Sequence, residues 1–286
     1  MITQYDFFRT KYGDELLIDL IQLEDLEKYI ASSPVQRLTY YDITIIAEGN
    51  GTFNIDNYKQ DLRQGSVFFS APRQIRKWNV RNVPKGYALI FEEEFLLTFF
   101  HDAQFIQNLS YFNSFNNPPI LNLAPEDYRQ LTVLLEEIKN EISSFKNNDN
   151  HILRALLYQS LALLNRKFII SYPTSRKKPI NNYVHQFMQL VETNSHQYRT
   201  VDYYAQQLHI TSGHLNSLVK DYLGISAKKY ILNKNILEAK RMLQYTNMTI
   251  DQIAYHLHYE NTTYFIRTFR DHTNITPLRF RKQANP

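Results

Sequence analysis

The stretch IDQIAYHLHYENTTYFIRTFRDHTNITPLRFR, residues 250–281, decides how the rest of the chain is read. It holds two helical runs separated by a short polar break. At 100° per residue Phe265 and Phe269 fall on one side of the second run, while Thr263, Ile266, Arg267 and Arg270 fan across the other. The phenylalanines are expected to hold this helix on a core and to leave the arginine face free to enter a groove.

Working backwards, the stretch has a copy. VDYYAQQLHI from Val201 aligns with IDQIAYHLHY from Ile250, matching Asp202 with Asp251, Ala205 with Ala254 and Leu208 with Leu257. After a one-residue offset Leu215, Val219, Lys220, Ile225 and Tyr230 match Phe265, Phe269, Arg270, Ile275 and Phe280. Two copies of one supersecondary unit explain this: short helix, tight turn, second helix. Thr200 and Thr249 are placed to N-cap the first helices, with Thr249 and Gln252 forming a capping box. His209 and His258 stand where a left-handed residue ends each first helix, and Gly224 and Asn274 end the second helices in the same way. Thr276-Pro277 starts a final short helix. In the first copy Leu215, Val219 and Tyr222 are expected inward and Gly213, Asn216, Ser217 and Lys220 outward.

A helix over about 227–246 joins the copies and spans roughly 30 Å. That approaches the ~34 Å between successive major-groove faces on one side of DNA. The charge is also asymmetric: residues 1–170 hold 17 Lys+Arg against 21 Asp+Glu, and residues 171–286 hold 15 against 7. The duplication, the basic C-terminal part and the spacer together point to double-stranded DNA as partner.

With 286 residues, 43% hydrophobic and 14% aromatic, the chain is long enough for two folded domains. There is no cysteine, so disulfides, thiolate metal sites and cysteine nucleophiles are excluded. No run reaches the ~20 apolar residues of a membrane span and the start lacks a secretory pattern, so a cytoplasmic protein is expected. Residues 37–56, RLTYYDITIIAEGNGTFNID, give two β-rich runs about a Gly-Asn-Gly turn, and further short strands follow Gly65 and Gly86. They predict a small antiparallel barrel or sandwich. From about 93 the period becomes helical at FEEEFLLTFF; Pro125 opens a second helix with Tyr128, Leu131, Leu135, Ile138 and Ile142 on a face, and a third has Leu153, Leu156, Leu157, Leu161 and Leu164. SYPTSRKKPI, 171–180, reads as a linker. The expected organisation is 1–170, linker 171–180, and 181–286.

At the repeat the chain resembles the AraC/XylS family of bacterial transcription regulators, over about 180–283. The departures are His258 and Asn274, where the family commonly has glycine. The resemblance implies an α+β fold: a cupin-like antiparallel β-barrel with a helical hairpin, then an all-α domain of two helix-turn-helix units joined by a long helix. It also implies that both second helices are recognition helices. Gly213, Asn216, Ser217, Thr262, Thr263, Ile266 and Arg267 would then face base edges, with Lys220, Arg241 and Arg270 on phosphates. Arg267 suits a bidentate contact to guanine.

The N-terminal half resembles the family's sensor domain in GNGTFNID, GSVFFSAPRQIRKW and GYALIFEEEFL. This places Arg76 and Trp78 as effector-binding residues, Arg76 for a carboxylate or phosphate and Trp78 for a ring or sugar face. All nine histidines lie at 101 or later, so the barrel lacks the histidine set of metal-dependent cupin enzymes. No metal, no cofactor and no catalysis are expected; related methyl-accepting repair proteins require a cysteine. The leading reading is a homodimeric, effector-responsive regulator, an activator touching RNA polymerase being common in the family. The alternative is a DNA-binding regulator without a small-molecule ligand, constitutive or controlled by a protein partner.

Overall fold

The computed structural model describes residues 2–13, 15–97, 105–112, 117–145, 150–173 and 181–284. The chain divides into two compact units, residues 2–177 and 178–286. Most of the expected linker, 174–180, lies outside the described residues, and Ser171, its first residue, is still helical.

The first unit is built on ten strands: β1 (Thr3–Tyr5), β2 (Ile18–Gln22), β3 (Val35–Leu38), β4 (Tyr41–Glu48), β5 (Thr52–Ile55), β6 (Tyr58–Asp61), β7 (Ser66–Ser70), β8 (Ile75–Asn79), β9 (Lys85–Phe91) and β10 (Ile120–Asn122). They form two five-stranded sheets, ordered β1-β3-β8-β5-β6 and β10-β7-β4-β9-β2. Pairing is antiparallel throughout, apart from the parallel β1–β3 pair. The Gly49-Asn50-Gly51 turn does not close a hairpin, because β4 and β5 belong to different sheets. Gly86 marks a bulge opposite Ile46–Glu48: its φ is +151° and a Cβ there would meet the Ile45 carbonyl oxygen at 2.0 Å.

Strand alternation explains the layering. Ile46, Phe53, Phe68, Trp78, Ala88, Ile90 and Ile120 come from both sheets and form one apolar cluster between them. The opposite faces of β4, β7 and β9 supply Ile43, Ile45, Phe69, Leu89 and Phe91 to a second cluster. A helical hairpin covers that second face. After short helices α1 (Glu27–Ser32), α2 (Glu94–Leu97) and α3 (Phe105–Asn108), α4 (Pro125–Ser143) buries Leu131, Leu134, Leu135, Ile138 and Ile142. Its partner α5 (His151–Ser171) buries all five predicted leucines together with Phe168. The hairpin therefore packs on its own sheet.

The second unit is helical: α6 (Asn182–Asn194), α7 (Val201–Gln207), α8 (Ser212–Leu223), α9 (Ala227–Tyr245), α10 (Ile250–His256), α11 (Thr262–Thr273) and α12 (Pro277–Ala284). His209 and His258 take φ of +54° and +53°, and Gly224 and Asn274 take +71° and +63°, as the repeat requires. Thr249 and Gln252 form the capping box. Thr200 sits at the N-cap of α7 but caps nothing with its side chain. Its third position holds Tyr203, stacked on Tyr198 at 3.7 Å, so no glutamine reaches back as in the second copy.

Candidate nucleic-acid interface

The two copies agree in their side chains as well as their backbones. Positions 211–220 and 261–270 bury and expose residues in the same order. Leu215 and Val219 in α8, and Phe265 and Phe269 in α11, are fully buried. Thr211 caps α8 through the His214 N–H, and Asn261 caps α11 through the Tyr264 N–H. The first residue of each helix donates its hydroxyl to the first helix of its unit, Ser212 to Asp202 and Thr262 to Asp251. This pair of bonds fixes the angle between the helices of each copy, and the aligned Asp202 and Asp251 were its signal in the sequence.

Gly213, Ser217 and Lys220 are exposed on α8, and Thr263, Arg267 and Arg270 on α11. The Arg267 side chain is 75% exposed, and Asp271, also well exposed, lies 3.8 Å away. Such a surface pair is worth little and yields readily to a stronger acceptor. Three residues expected on this face are half-buried instead. The Asn216 Oδ1 accepts the Ala227 N–H at 3.0 Å, tying α8 to the start of α9. The Thr262 hydroxyl is engaged by Asp251, and Ile266 leans on the apolar cluster beneath α11. The expected set thus contracts to a smaller exposed group. Two further exposed residues, His214 and Tyr264, which periodicity alone does not mark, stand at the third position of each helix.

Arg241 also differs from expectation. Its side chain is 12% exposed and paired with Glu238 at 3.1 Å, one turn back on α9, which draws it away from solvent. α9 nonetheless carries Lys228, Lys229, Lys234, Lys240 and Arg241 against a single acid, Glu238. Burial lowers the pKa of Lys240, and burial followed by Lys240 and Lys229 lowers that of His272. Positive groups that disfavour one another in the free protein gain when a polyanion approaches.

In the first unit Arg76 and Trp78 come together, but inside the molecule. Arg76 is 3% exposed and pairs with Asp42 at 2.7 Å between the sheets. Trp78 is 2% exposed and stacks on Phe53 at 4.0 Å, with the Arg76 guanidinium 5.2 Å from the same ring. The two residues expected to bind an effector are therefore core groups rather than the lining of an open surface pocket. Among the described residues, Arg76 Nε, Trp78 Nε1 and Ser70 Oγ are buried with no hydrogen-bond partner. An open cleft of about 690 Å³ lies elsewhere, between Glu48–Gly51 and Asn79–Lys85. No group of three or more His, Cys, Asp or Glu suited to a metal ion occurs among the described residues. Among those residues no helix is long and apolar enough to cross a membrane.

Comparison with known proteins agrees with this geometry. The helix-turn-helix domain family matches residues 204–283. The probable transcription factor PqrA of Proteus vulgaris is 31% identical over 84 residues, which are 29% of this chain and 69% of PqrA. The uncharacterized HTH-type transcriptional regulator YtdP of Bacillus subtilis (strain 168) is 27% identical over 143 residues, 50% of this chain but only 18% of YtdP's own length. A solved transcriptional regulator with an AraC-type DNA-binding domain, from Chromobacterium violaceum, is 30% identical and covers 36% of this chain and 92% of its own, with a TM-score of 0.34. With its paired helix-turn-helix units, its shared caps, the matched domain family and its likeness to PqrA, the chain belongs to the AraC family of DNA-binding transcription regulators.

Proposed function

We propose that the protein reads a two-part DNA site with α8 and α11 and that residues 1–170 adjust this binding in response to a small organic effector. The observation that carries the DNA part is the matched burial of the two helices, which leaves Gly213, Ser217 and Lys220 on one and Thr263, Arg267 and Arg270 on the other facing solvent. Arg267 reads a base edge, helped by Thr263, while Lys220 and Arg270 position the helices on phosphates. The 19 residues of α9 span about 28 Å, close to one turn of duplex. Operator selection from random DNA followed by footprinting of the full chain tests this. Two protected major-groove segments on one face support it, and a single segment overturns it.

The effector part draws on the orphaned donors beside Arg76. A buried polar atom without a partner is costly, and an acidic or hydroxylated ligand entering between the sheets would satisfy Arg76 Nε and Trp78 Nε1. One observation favours the alternative without a ligand: Asp42 already neutralises Arg76, so an anionic effector must displace it. Thermal-shift screening of the full chain with organic acids and sugars separates the two, and Arg76→Gln should abolish any shift found. A homodimer, a cytoplasmic site of action and a polymerase contact belong to the same reading.

A further inference from the structure

We infer that a buried clasp centred on Asn235 sets the spacing and rotational phase between the two DNA-reading units. The inference rests on the two-part reading above. Each unit packs on its own stretch of α9: Tyr230 meets Phe187 at 5.4 Å near one end, and Ile236, Ala239, Met242 and Leu243 pack with α10 and α11 toward the other. A single helix between two packed bodies bends and twists, so α9 alone defines their phase only loosely.

The clasp adds a second connection. Asn235 lies near the middle of α9 and is completely buried. Its Nδ2 donates to the Ser195 carbonyl at 3.0 Å, in the loop that leads into α7. Its Oδ1 accepts the Tyr259 hydroxyl at 2.8 Å, at the turn of the second unit. The same loop then reaches the second helix-turn-helix copy directly. The Arg199 guanidinium lies 4.1 Å from the centre of the Tyr259 ring and donates to the His258 carbonyl at 2.8 Å. The His196 ring sits 6.3 Å from His256 and 6.5 Å from His258.

A buried amide that uses both its ends tolerates few alternative arrangements, because sliding either unit would orphan a donor or an acceptor. Apolar contacts along α9 carry no such directionality. Asn235, Tyr259 and Arg199 are thus positioning residues: they act through one another and fix where the second reader falls relative to the first.

The test uses the full chain on its selected operator and on versions with one base pair added or removed between the two protected segments. One base pair displaces a segment by about 3.4 Å and rotates it by about 35°. Wild-type protein should lose about tenfold or more in affinity per step, whereas Tyr259→Phe should lose less than about threefold. Both should bind DNA carrying only the second segment within about twofold of each other, a result that a general loss of folding would not give. Arg199→Ala should broaden spacing tolerance in the same direction, and it stands in should Tyr259→Phe fail to fold. If wild type is spacing-selective and Tyr259→Phe is equally so, the clasp is overturned alone. If wild type tolerates every spacing, the two-part reading and the clasp both fall.

Discussion

The two reading units share a skeleton and differ in what they show to solvent. Leu215 and Val219 occupy the places of Phe265 and Phe269, and Thr211 that of Asn261, so the buried and N-capping positions of the two second helices have similar counterparts. On the outer face glycine and serine stand where the second copy has threonine and arginine. The scaffold is constrained by packing and capping, whereas the outward positions answer only to what they meet. On the proposed reading the first helix-turn-helix copy serves mainly as a docking element and the second supplies most of the discrimination.

The largest effect that tests this comparison lies in the cores. Phe269→Ala removes a fully buried ring that meets Phe265 and Phe280, and should cost about 3–5 kcal/mol. Val219→Ala, at the matching place, should cost clearly less. Urea unfolding of the full chain measures both, and equal costs would show that the two cores are not built to different scales.

On the outer face the order should persist. Arg267→Ala should lose roughly 1–3 kcal/mol of discrimination at one base pair. Ser217→Ala should change affinity less than a few-fold on every sequence. Competition binding against single-base operator variants measures both; a larger loss from Ser217 would reverse the division of labour.

This division was legible in the sequence to the extent that periodicity carries it. Phe265 and Phe269, the left-handed His209, His258 and Asn274, and the leucines of α5 all follow from spacing and backbone preference. What could not be read were side chains whose partners are distant in sequence. Arg76 looks solvated until Asp42, on the other sheet, neutralises it. Asn216 looks outward until the Ala227 N–H claims it, and Arg241 until Glu238 does. Asn235 left a faint trace, a polar residue four from Ile231 and four from Ala239 on the buried face of α9. The β4–β5 turn was visible, but the change of sheet across it depends on non-local pairing.

Smaller effects sharpen the comparison further. Lys220→Ala and Arg270→Ala should each weaken binding on all sequences alike and reduce the slope of log affinity against log salt by about one. Titrations at several salt concentrations check this, and a sequence-dependent loss would assign either residue to base reading. Gly213→Ala makes a two-signed case. A Cβ there meets nothing within 4 Å, so the alanine should stabilise the protein by about 0.5–1 kcal/mol. If Gly213 lies against a base edge, the same methyl should lower operator affinity several-fold. Higher melting temperature with unchanged affinity would remove Gly213 from the interface.

The smallest expected difference is one of pH, and it comes from a pair of matched positions, Tyr222 and His272. Burial pushes the Tyr222 hydroxyl up to about 12, so the first unit carries no titration there near neutrality. Burial, then Lys240 and Lys229, hold His272 below its ordinary value. The unfolded chain therefore takes up a proton at His272 before the folded chain does. Stability from this group is complete above about pH 6.5 and is lost as pH falls through the folded value. Burial lowers His185 in α6 as well, with the same sign, so the comparison needs a variant that spares it. His272→Tyr, which copies the first unit, should lose less melting temperature than wild type between pH 7.5 and about pH 5.5. Equal losses would mean that His272 feels neither the lysines nor its burial.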